Sequence, residues 1–266
     1  MTKATDSPAK TRKTWKQAVR EAIRRLGYDV SRYSPNDLSS LVDMTEKQKQ
    51  IILQARPNSM ASLERMASLI HCVEYLVANN ISGDIAECGV WRGGSMVLTA
   101  LTLLEHGDTS RELFLYDTFE GMSAPSANDK DFQGKPAILQ LLQEPEGTGI
   151  WCFASIEEVR ANLLATGYPQ DKIHLIKGKV EDTIPGQLPS GLALLRLDTD
   201  WYESTRHELV HLYPLLRKKG VLILDDYGHW QGAKMAADEY FQQNKITAFL
   251  HRIDYTGRLL IKETNG

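Results

Sequence analysis

Residues 85–95, IAECGVWRGGS, run from an apolar strand pattern through a glycine-rich turn into the start of a helix. Such a turn brings backbone N–H groups close to a ligand. Four more short apolar runs follow, and helical patterns alternate with them. The strand patterns lie at 113–116, 173–176, 192–197 and 221–224, and the helical patterns at 95–105, 156–166, 204–216 and 231–243. This alternation predicts an α/β fold around a mostly parallel sheet.

The two ends of the chain differ from this middle part. Apolar residues recur at helical spacing over Trp15–Leu26, where Gly27 is placed for a C-terminal cap, and over Leu63–Val77, where residues 57–59 supply a stop and a cap. We therefore predict a helical cap over residues 1–80 and a sheet domain over residues 81–266. Two final strands, 247–253 and 258–261, flank the turn at 254–257, which completes a seven-stranded sheet with an antiparallel C-terminal hairpin.

Composition excludes several classes of protein. The chain has 266 residues and a net charge of -3, which gives no bulk attraction to nucleic acid or to an anionic membrane. It lacks the run of about 20 apolar residues that spans a bilayer. Three widely spaced cysteines, Cys72, Cys88 and Cys152, suggest neither a zinc site nor a disulfide framework. We expect a cytoplasmic protein with reduced thiols that binds a small molecule.

One connection is unusually long. Residues 118–150 hold seven glycines and prolines and little periodicity, and they follow a strand at the edge where such sheets bind ligands. Loops of this length are often lids or binding loops and are otherwise disordered. We predict a lid.

Acidic side chains follow two of the predicted strands. The run at 192–197 ends in Asp198-Thr199-Asp200, and the run at 221–224 ends in Asp225-Asp226. Asp198, Asp225 and Asp226 would repel one another without a cation, and together they offer the oxygen ligands that Mg²⁺ prefers. We predict a Mg²⁺ site there. The alternative is that these acids cap helices.

The glycine-rich turn does not match GxGxxG, which argues against a dinucleotide. Glu87 could accept a hydrogen bond from an ammonium group, Asp117 could take a ribose diol, and Asp182 could accept from an adenine amino group. S-adenosylmethionine has these parts. The alternatives are ordinary structural roles: a turn cap for Asp117 and Asp182, and a partner of Arg92 for Glu87. The candidate donor-binding residues are Glu87, Gly89, Trp91, Arg92, Gly93, Ser95, Asp117, Thr118 and Asp182.

Three further residues have open roles. Arg196 lies inside an apolar strand and needs a carboxylate partner if it is buried, either Glu87 or an aspartate of the site. His229 and Trp230 follow the acidic pair and could line the substrate side, although a lone loop histidine is more often a surface residue.

Taken together, four strings resemble the macrocin O-methyltransferase family. They are GDIAECGVWRGG at 83–94, YDTFEG at 116–121, LDTDWYEST at 197–205 and DDYG at 225–228. The resemblance implies a class I, Rossmann-like methyltransferase fold, S-adenosylmethionine as donor, Mg²⁺ dependence and a sugar hydroxyl of a secondary metabolite as acceptor. It also implies that Asp198, Asp225 and Asp226 hold the metal, that Asp198 is the base, and that the protein is a homo-oligomer.

Three other functions compete with this interpretation. A nicotinamide-dependent oxidoreductase would use a similar sheet, but GxGxxG is missing. The catechol-type metal methyltransferases carry a lysine three residues after the first metal aspartate, where this chain has Trp201. A non-catalytic binding protein would not need the three acids. The acceptor itself stays open, because residues 129–136 of the long connection and residues 1–42 match no family pattern.

Overall fold

The computed structural model describes residues 15–28, 38–143 and 151–264. The end of the long connection, at 144–150, therefore lies outside the described residues. The chain divides into two compact units, residues 1–40 and 41–266. Helix α1 (Trp15–Arg25) belongs to the first unit, and Gly27 follows it with a φ of 87°, as predicted for a left-handed C-terminal cap. The assignment of residues 1–80 to a substrate-covering cap stays a prediction.

The second unit holds a sheet of seven strands. They are β1 (Asp84–Cys88), β2 (Leu113–Asp117), β3 (Ile173–Lys177), β4 (Leu192–Leu197), β5 (Leu216–Leu224), β6 (His251–Arg252) and β7 (Arg258–Ile261). Their order in the sheet is β3-β2-β1-β4-β5-β7-β6. Strands β1 to β5 pair in parallel, β7 pairs antiparallel with β5, and β6 pairs antiparallel with β7. This is the predicted mixed α/β, Rossmann-like sheet.

Eight helices among the described residues of this unit complete the fold. Helices α2 and α3 pack against α4, and α8 packs against α9. They are α2 (Glu46–Ala55), α3 (Leu63–Ala78), α4 (Gly94–Glu105), α5 (Ala137–Leu141), α6 (Ile156–Leu164), α7 (Val180–Thr183), α8 (Tyr202–Leu212) and α9 (Gln231–Gln243). Among the described residues, the longest helices fall short of the length and apolarity that crossing a membrane requires.

The helices differ from the predictions in several places. Helices α5 and α7 were not predicted, and α6 ends two residues before its predicted end. Helix α2 was not predicted; it begins at a capping box in which Thr45 and Gln48 bond each other's backbone N–H groups. Helix α3 is capped by Ser62 rather than by residues 57–59. Helix α8 ends at Leu212, four residues before the predicted end, because Pro214 follows in a 3-10 turn.

Strand register places the side chains of the central strands. Glu87 of β1 lies directly beside Arg196 of β4, which lies beside Ile223 of β5. Side chains alternate between the faces of a strand, so residues two apart share a face. The face that carries Glu87 and Arg196 therefore also carries Asp198 and Asp225, just past the ends of β4 and β5.

Candidate functional site

A cavity of about 430 Å³ opens at the carboxyl end of the central strands. Its walls come from the glycine-rich turn, the acids after β4 and β5, the segment before α3, and the turn between β6 and β7. The lining residues include Arg65, Gly89, Trp91, Ser95, Asp117, Gly121, Met122, Cys152, Arg196, Asp198, Asp200, Asp225, Asp226, His229, Trp230 and Tyr255.

Arg196 is the buried centre of this site. Its Nη1 bonds Glu87 and lies 2.7 Å from Asp198 Oδ2, and its Nη2 lies 2.6 Å from Asp225 Oδ1. The predicted pairing of Arg196 with Glu87 and an aspartate is thus confirmed. Burial raises the pKa of Glu87 to about 7, against the opposing effect of Arg196.

A second arginine, Arg65 of α3, was not foreseen. Its guanidinium bonds Asp225 and lies 3.1 Å from Asp254 Oδ2, which also accepts a 2.7 Å hydrogen bond from the Ser62 hydroxyl. The start of α3 is therefore fixed both to the end of β5 and to the turn between β6 and β7. Little in the sequence indicated a site role for Arg65, which stands three residues after the cap of α3. Its contact with Asp225 depends on how α3 packs.

Three acids of the site lie close together. One carboxylate oxygen each from Asp198, Asp200 and Asp226 lies within 4.8 Å of the other two. Among the described residues, Asp226 Oδ2 is buried and has no hydrogen-bond partner. Burial and the neighbouring acids raise the pKa of Asp198 and of Asp226 and bring the pKa of Asp200 to about 7. This is the oxygen-rich site that a divalent cation fits.

The predicted metal set was Asp198, Asp225 and Asp226. The structure places Asp225 between the two guanidinium groups of Arg65 and Arg196 and brings Asp200 beside the other two acids. Asp200 has a left-handed backbone with φ 68°, a conformation that is uncommon for a residue other than glycine. The spacing of Asp198 and Asp200 was visible in the sequence, but this backbone turn was not.

On the donor side, Gly89 and Asp117 shape the turn after β1. A Cβ at Gly89 would overlap the carbonyl group of Asp198, and the residue has φ 78°, so the position favours glycine. Asp117 Oδ2 accepts hydrogen bonds from the backbone N–H of Val90 (2.6 Å) and Trp91 (3.1 Å), and Oδ1 accepts from Phe119 N–H (2.7 Å). Asp117 therefore fills its alternative turn-capping role, and its carboxylate also lines the cavity.

A smaller cavity of about 60 Å³ adjoins this turn, between Asp117 and the segment after β3. Thr118 lines it together with Gly178, Lys179 and Glu181. Asp182, the predicted adenine partner, is exposed and does not line either cavity among the described residues. The neighbouring Glu181 lines the smaller cavity, in the place that was predicted for Asp182.

The other predicted donor residues separate into two groups. Trp91 and Ser95 line the large cavity. Arg92 faces away, with Nε 2.5 Å from Glu158 Oε1 and Nη1 3.1 Å from the Pro57 carbonyl. Gly93 has φ 81° and precedes the first residue of α4, so it shapes the turn without lining the cavities of the described chain.

The long connection contributes Gly121 and Met122 to the cavity. It is fixed by Asp129, which is buried and accepts hydrogen bonds at Oδ2 from the Ser126 hydroxyl (2.7 Å) and at Oδ1 from Tyr202 N–H (2.8 Å). Within its described residues the connection is thus tied to the first residue of α8. His229 lines the cavity rather than standing alone on the surface, as does Trp230.

Comparison with known proteins adds a family. A model of the macrocin O-methyltransferase (TylF) family matches residues 7–262. One relative, 36% identical over 200 residues, is the 8-demethyl-8-(2,3-dimethoxy-α-L-rhamnosyl)-tetracenomycin-C 4'-O-methyltransferase of Streptomyces olivaceus. The match covers 75% of this chain and 74% of the relative. Demethyldecarbamoylnovobiocin O-methyltransferase of Streptomyces niveus is 32% identical over 203 residues, covering 76% and 75% of the two chains.

Solved structures agree with this fold. The O-methyltransferase NovP superposes with a TM-score of 0.68 at 30% sequence identity. The superposition covers 78% of this chain and 83% of the NovP chain. The calicheamicin methyltransferase CalS11 superposes with a TM-score of 0.54 at 16% identity, covering 88% of this chain and 99% of that one, and so supports the fold alone.

Proposed function

We propose that this chain, which belongs to the macrocin O-methyltransferase family and is an S-adenosylmethionine-dependent O-methyltransferase, methylates a sugar hydroxyl of a glycosylated metabolite with the help of Mg²⁺. The family match sets aside the nicotinamide-dependent oxidoreductase and the non-catalytic binding protein. The observation that carries the metal part of the proposal is the convergence of Asp198, Asp200 and Asp226 within 4.8 Å.

The charges of the site support this proposal. Six carboxylates lie around the two guanidinium groups of Arg65 and Arg196, which leaves an excess of four negative charges when all are ionised. The carboxylates are those of Glu87, Asp198, Asp200, Asp225, Asp226 and Asp254. A doubly charged cation and a singly positive sulfonium donor would offset most of that excess.

When bound, S-adenosylmethionine supplies an electrophilic methyl group, and Mg²⁺ supplies positive charge that makes a nearby hydroxyl more acidic. Asp198, Asp200 and Asp226 are the residues that would hold the cation. Asp225 was also predicted as a ligand, and in this proposal it orients Arg196 and Arg65 behind the acids.

The acids also provide a proton acceptor. A carboxylate whose pKa lies near the working pH can take a proton from the acceptor hydroxyl efficiently. Asp198 is the base that we predicted from the family resemblance; burial raises its pKa, against the opposing effect of Arg196, which lies 2.7 Å from Asp198 Oδ2. Asp200, whose pKa is raised to about 7 by burial and by the charges of Asp198 and Asp225, is a second candidate acceptor.

The donor would lie along the turn after β1. Gly89 allows its backbone to approach, Ser95 and Trp91 contribute the wall, and Asp117 holds the turn in shape. The smaller cavity beside Thr118 and Glu181 suits the adenine end. Glu87 stands behind this surface, and its Oε2 is buried without a hydrogen-bond partner among the described residues, so it can accept from a ligand ammonium group.

The proposal is tested with Asp198→Asn, Asp226→Asn and the exposed control Asp171→Asn. Magnesium titration calorimetry and S-adenosylhomocysteine calorimetry are combined with methyl transfer to the two acceptors named for the relatives above. We expect the two site variants to lose magnesium binding and methyl transfer, while their affinity for S-adenosylhomocysteine stays within about threefold of wild type. The control should match wild type in all three assays.

Wild-type enzyme that works at full rate in EDTA, or Asp226→Asn enzyme that still binds magnesium normally, would show that this metal assignment is wrong. Homo-oligomerisation and a cytoplasmic location remain predictions that go with this function.

A further inference from the structure

Three aromatic rings meet on the solvent side of the active-site cavity, and we call Phe132, His229 and Tyr255 the aromatic wall. The ring centroids of Phe132 and His229 are 5.6 Å apart, those of Phe132 and Tyr255 are 6.1 Å apart, and those of His229 and Tyr255 are 5.9 Å apart. They come from three separate segments: the connection after β2, the loop after β5 and the turn between β6 and β7.

The exposure of these rings is unusual for an aromatic cluster. Phe132 is 56% exposed and Tyr255 is 51% exposed. By contrast, the nearby pair of Trp201 and Trp230 packs at 5.0 Å and is almost fully buried. A cluster that served only to stabilise the fold would bury its rings as that pair does. The aromatic wall instead keeps apolar surface available, and covering such surface with a ligand is favourable because it removes that surface from water.

The backbone on both sides of Phe132 is held in place by a buried carboxylate. Asp131 is 8% exposed, and its Oδ1 accepts hydrogen bonds from the N–H groups of Gln133 and Lys135, both at 2.9 Å. Its Oδ2 accepts from Gln140 Nε2 at 3.0 Å. The ring of Phe132 is therefore presented from a fixed turn and not from a free loop.

Tyr255 is presented in the same way. The preceding Asp254 accepts hydrogen bonds at Oδ1 from the N–H groups of Thr256 (2.9 Å) and Gly257 (2.7 Å). A Cβ at Gly228 would overlap the Tyr255 carbonyl oxygen, so the loop after β5 presses directly against this turn. The Tyr255 hydroxyl and His229 Nδ1 lie 2.6 Å apart, which joins the two rings.

The aromatic wall is also next to the acids. The backbone N–H of His229 donates to the carbonyl of Asp226 at 2.9 Å, and both His229 and Tyr255 line the cavity that holds Asp198, Asp200 and Asp226. The His229 ring has two nitrogens that can bond polar groups, and Nδ1 is the one that faces the Tyr255 hydroxyl.

We infer that the aromatic wall is the acceptor-recognition surface, on which the pyranose ring of the acceptor packs its C–H face against Phe132 and Tyr255. This inference rests on the proposed function and adds the residues that would recognise the sugar. A pyranose presents an apolar face of C–H groups and a rim of hydroxyls, which suits aromatic surface beside a few polar groups. With the sugar held there, His229 is placed to bond one ring substituent while another hydroxyl reaches the acids.

The test uses Phe132→Ala and Tyr255→Ala, with Phe249→Ala as the matched control. Phe249 is 80% exposed, and its ring lies 6.2 Å from His251 of β6. Neither Phe132 nor Phe249 lines the cavity itself, but the ring of Phe132 packs beside His229 and Tyr255, which do line it. The acceptors are 8-demethyl-8-(2,3-dimethoxy-α-L-rhamnosyl)-tetracenomycin C and demethyldecarbamoylnovobiocin. Each variant is assayed for kcat and for KM of the acceptor, and calorimetry measures its affinity for S-adenosylhomocysteine.

Loss of one stacking ring should raise the acceptor KM about two- to tenfold, with kcat and the affinity for S-adenosylhomocysteine little changed. Phe132→Tyr, which keeps the ring, should restore the wild-type KM. The Phe249→Ala enzyme should be indistinguishable from wild type.

Two failures are distinguishable. If wild-type enzyme methylates an acceptor and both alanine variants keep its KM, or change kcat and donor affinity instead, the aromatic wall does not recognise the acceptor. If wild-type enzyme binds S-adenosylhomocysteine but methylates neither glycoside, the proposed acceptor class is wrong and this inference is overturned with it.

Discussion

Arg196→Met is the substitution that most directly tests the charge network of the site. Arg196 is buried and bonds Glu87, Asp198 and Asp225, so its removal leaves carboxylates in a low-dielectric region without a cation. Removing one partner of a buried ion pair costs about 3–5 kcal/mol. For a chain of this size, 1 kcal/mol changes Tm by about 2–4 °C, so we expect Tm to fall by about 6–20 °C.

The pH dependence identifies the cause of that loss. Without Arg196 the folded-state pKa of Glu87, already about 7 in the wild type, lies further above its unfolded value near 4. Such a group supports folding at low pH, and this support is lost as the pH rises through the folded-state pKa. The difference in Tm between wild type and variant should therefore be large at pH 7.5 and smaller at pH 5.5.

Thermal unfolding followed by circular dichroism at both pH values measures this effect. Arg160→Met, on the exposed face of α6, is the matched control and should leave Tm within about 2 °C of wild type. Adding Glu87→Gln to Arg196→Met should recover part of the lost stability, because one stranded charge is then removed. An Arg196→Met protein as stable as wild type at pH 7.5, or a difference that grows at pH 5.5, would refute this account of the network.

Two other predictions concern the acids and the turn. In EDTA the wild-type Tm should fall between pH 6 and pH 8, because Glu87 and Asp200 have pKa values of about 7 in the folded protein and near 4 in the unfolded chain. Added magnesium should reduce that fall. A Tm that rises over this pH range in EDTA would contradict the prediction. Gly89→Ala should abolish S-adenosylhomocysteine binding in calorimetry and lower Tm, because the new Cβ meets the Asp198 carbonyl group. The control is Gly107→Ala, which also has a positive φ but has open space around it. This control should lose only about 1 kcal/mol of stability and keep binding.

The parts of the site that depend on strand pattern could be predicted from the sequence. Glu87 and Arg196 both interrupt apolar strands, and a charge in such a strand needs a neighbour on the next strand. That reasoning led to their contact, and the register of β1 and β4 confirms it. The acids after β4 and β5 were predicted to meet because parallel strands end at the same edge of the sheet, and Asp198 and Asp226 do meet.

The parts that depend on loop backbone or helix packing could not be predicted in the same way. The position of Asp200 follows from a left-handed backbone that the residue type alone does not indicate. Arg65 bonds Asp225 across a separation of 160 positions in the sequence, so this contact depends on how α3 packs in the fold. Asp117 was assigned a ligand-binding role, and the structure shows that backbone N–H groups of the neighbouring turn occupy its oxygens.

The acids of the site have two different tasks, and the arginines separate them. Glu87 and Asp225 are the inner acids, and the guanidinium groups of Arg196 and Arg65 bond them within the protein. Asp200 and Asp226 are the outer acids; their pKa values are raised by burial and by mutual repulsion, and among the described residues arginine does not bond them. Their repulsion costs stability that a bound cation would return as affinity. Under the proposed function, the protein would fold around its arginines and keep an attraction for magnesium at the place where the acceptor hydroxyl would lose its proton.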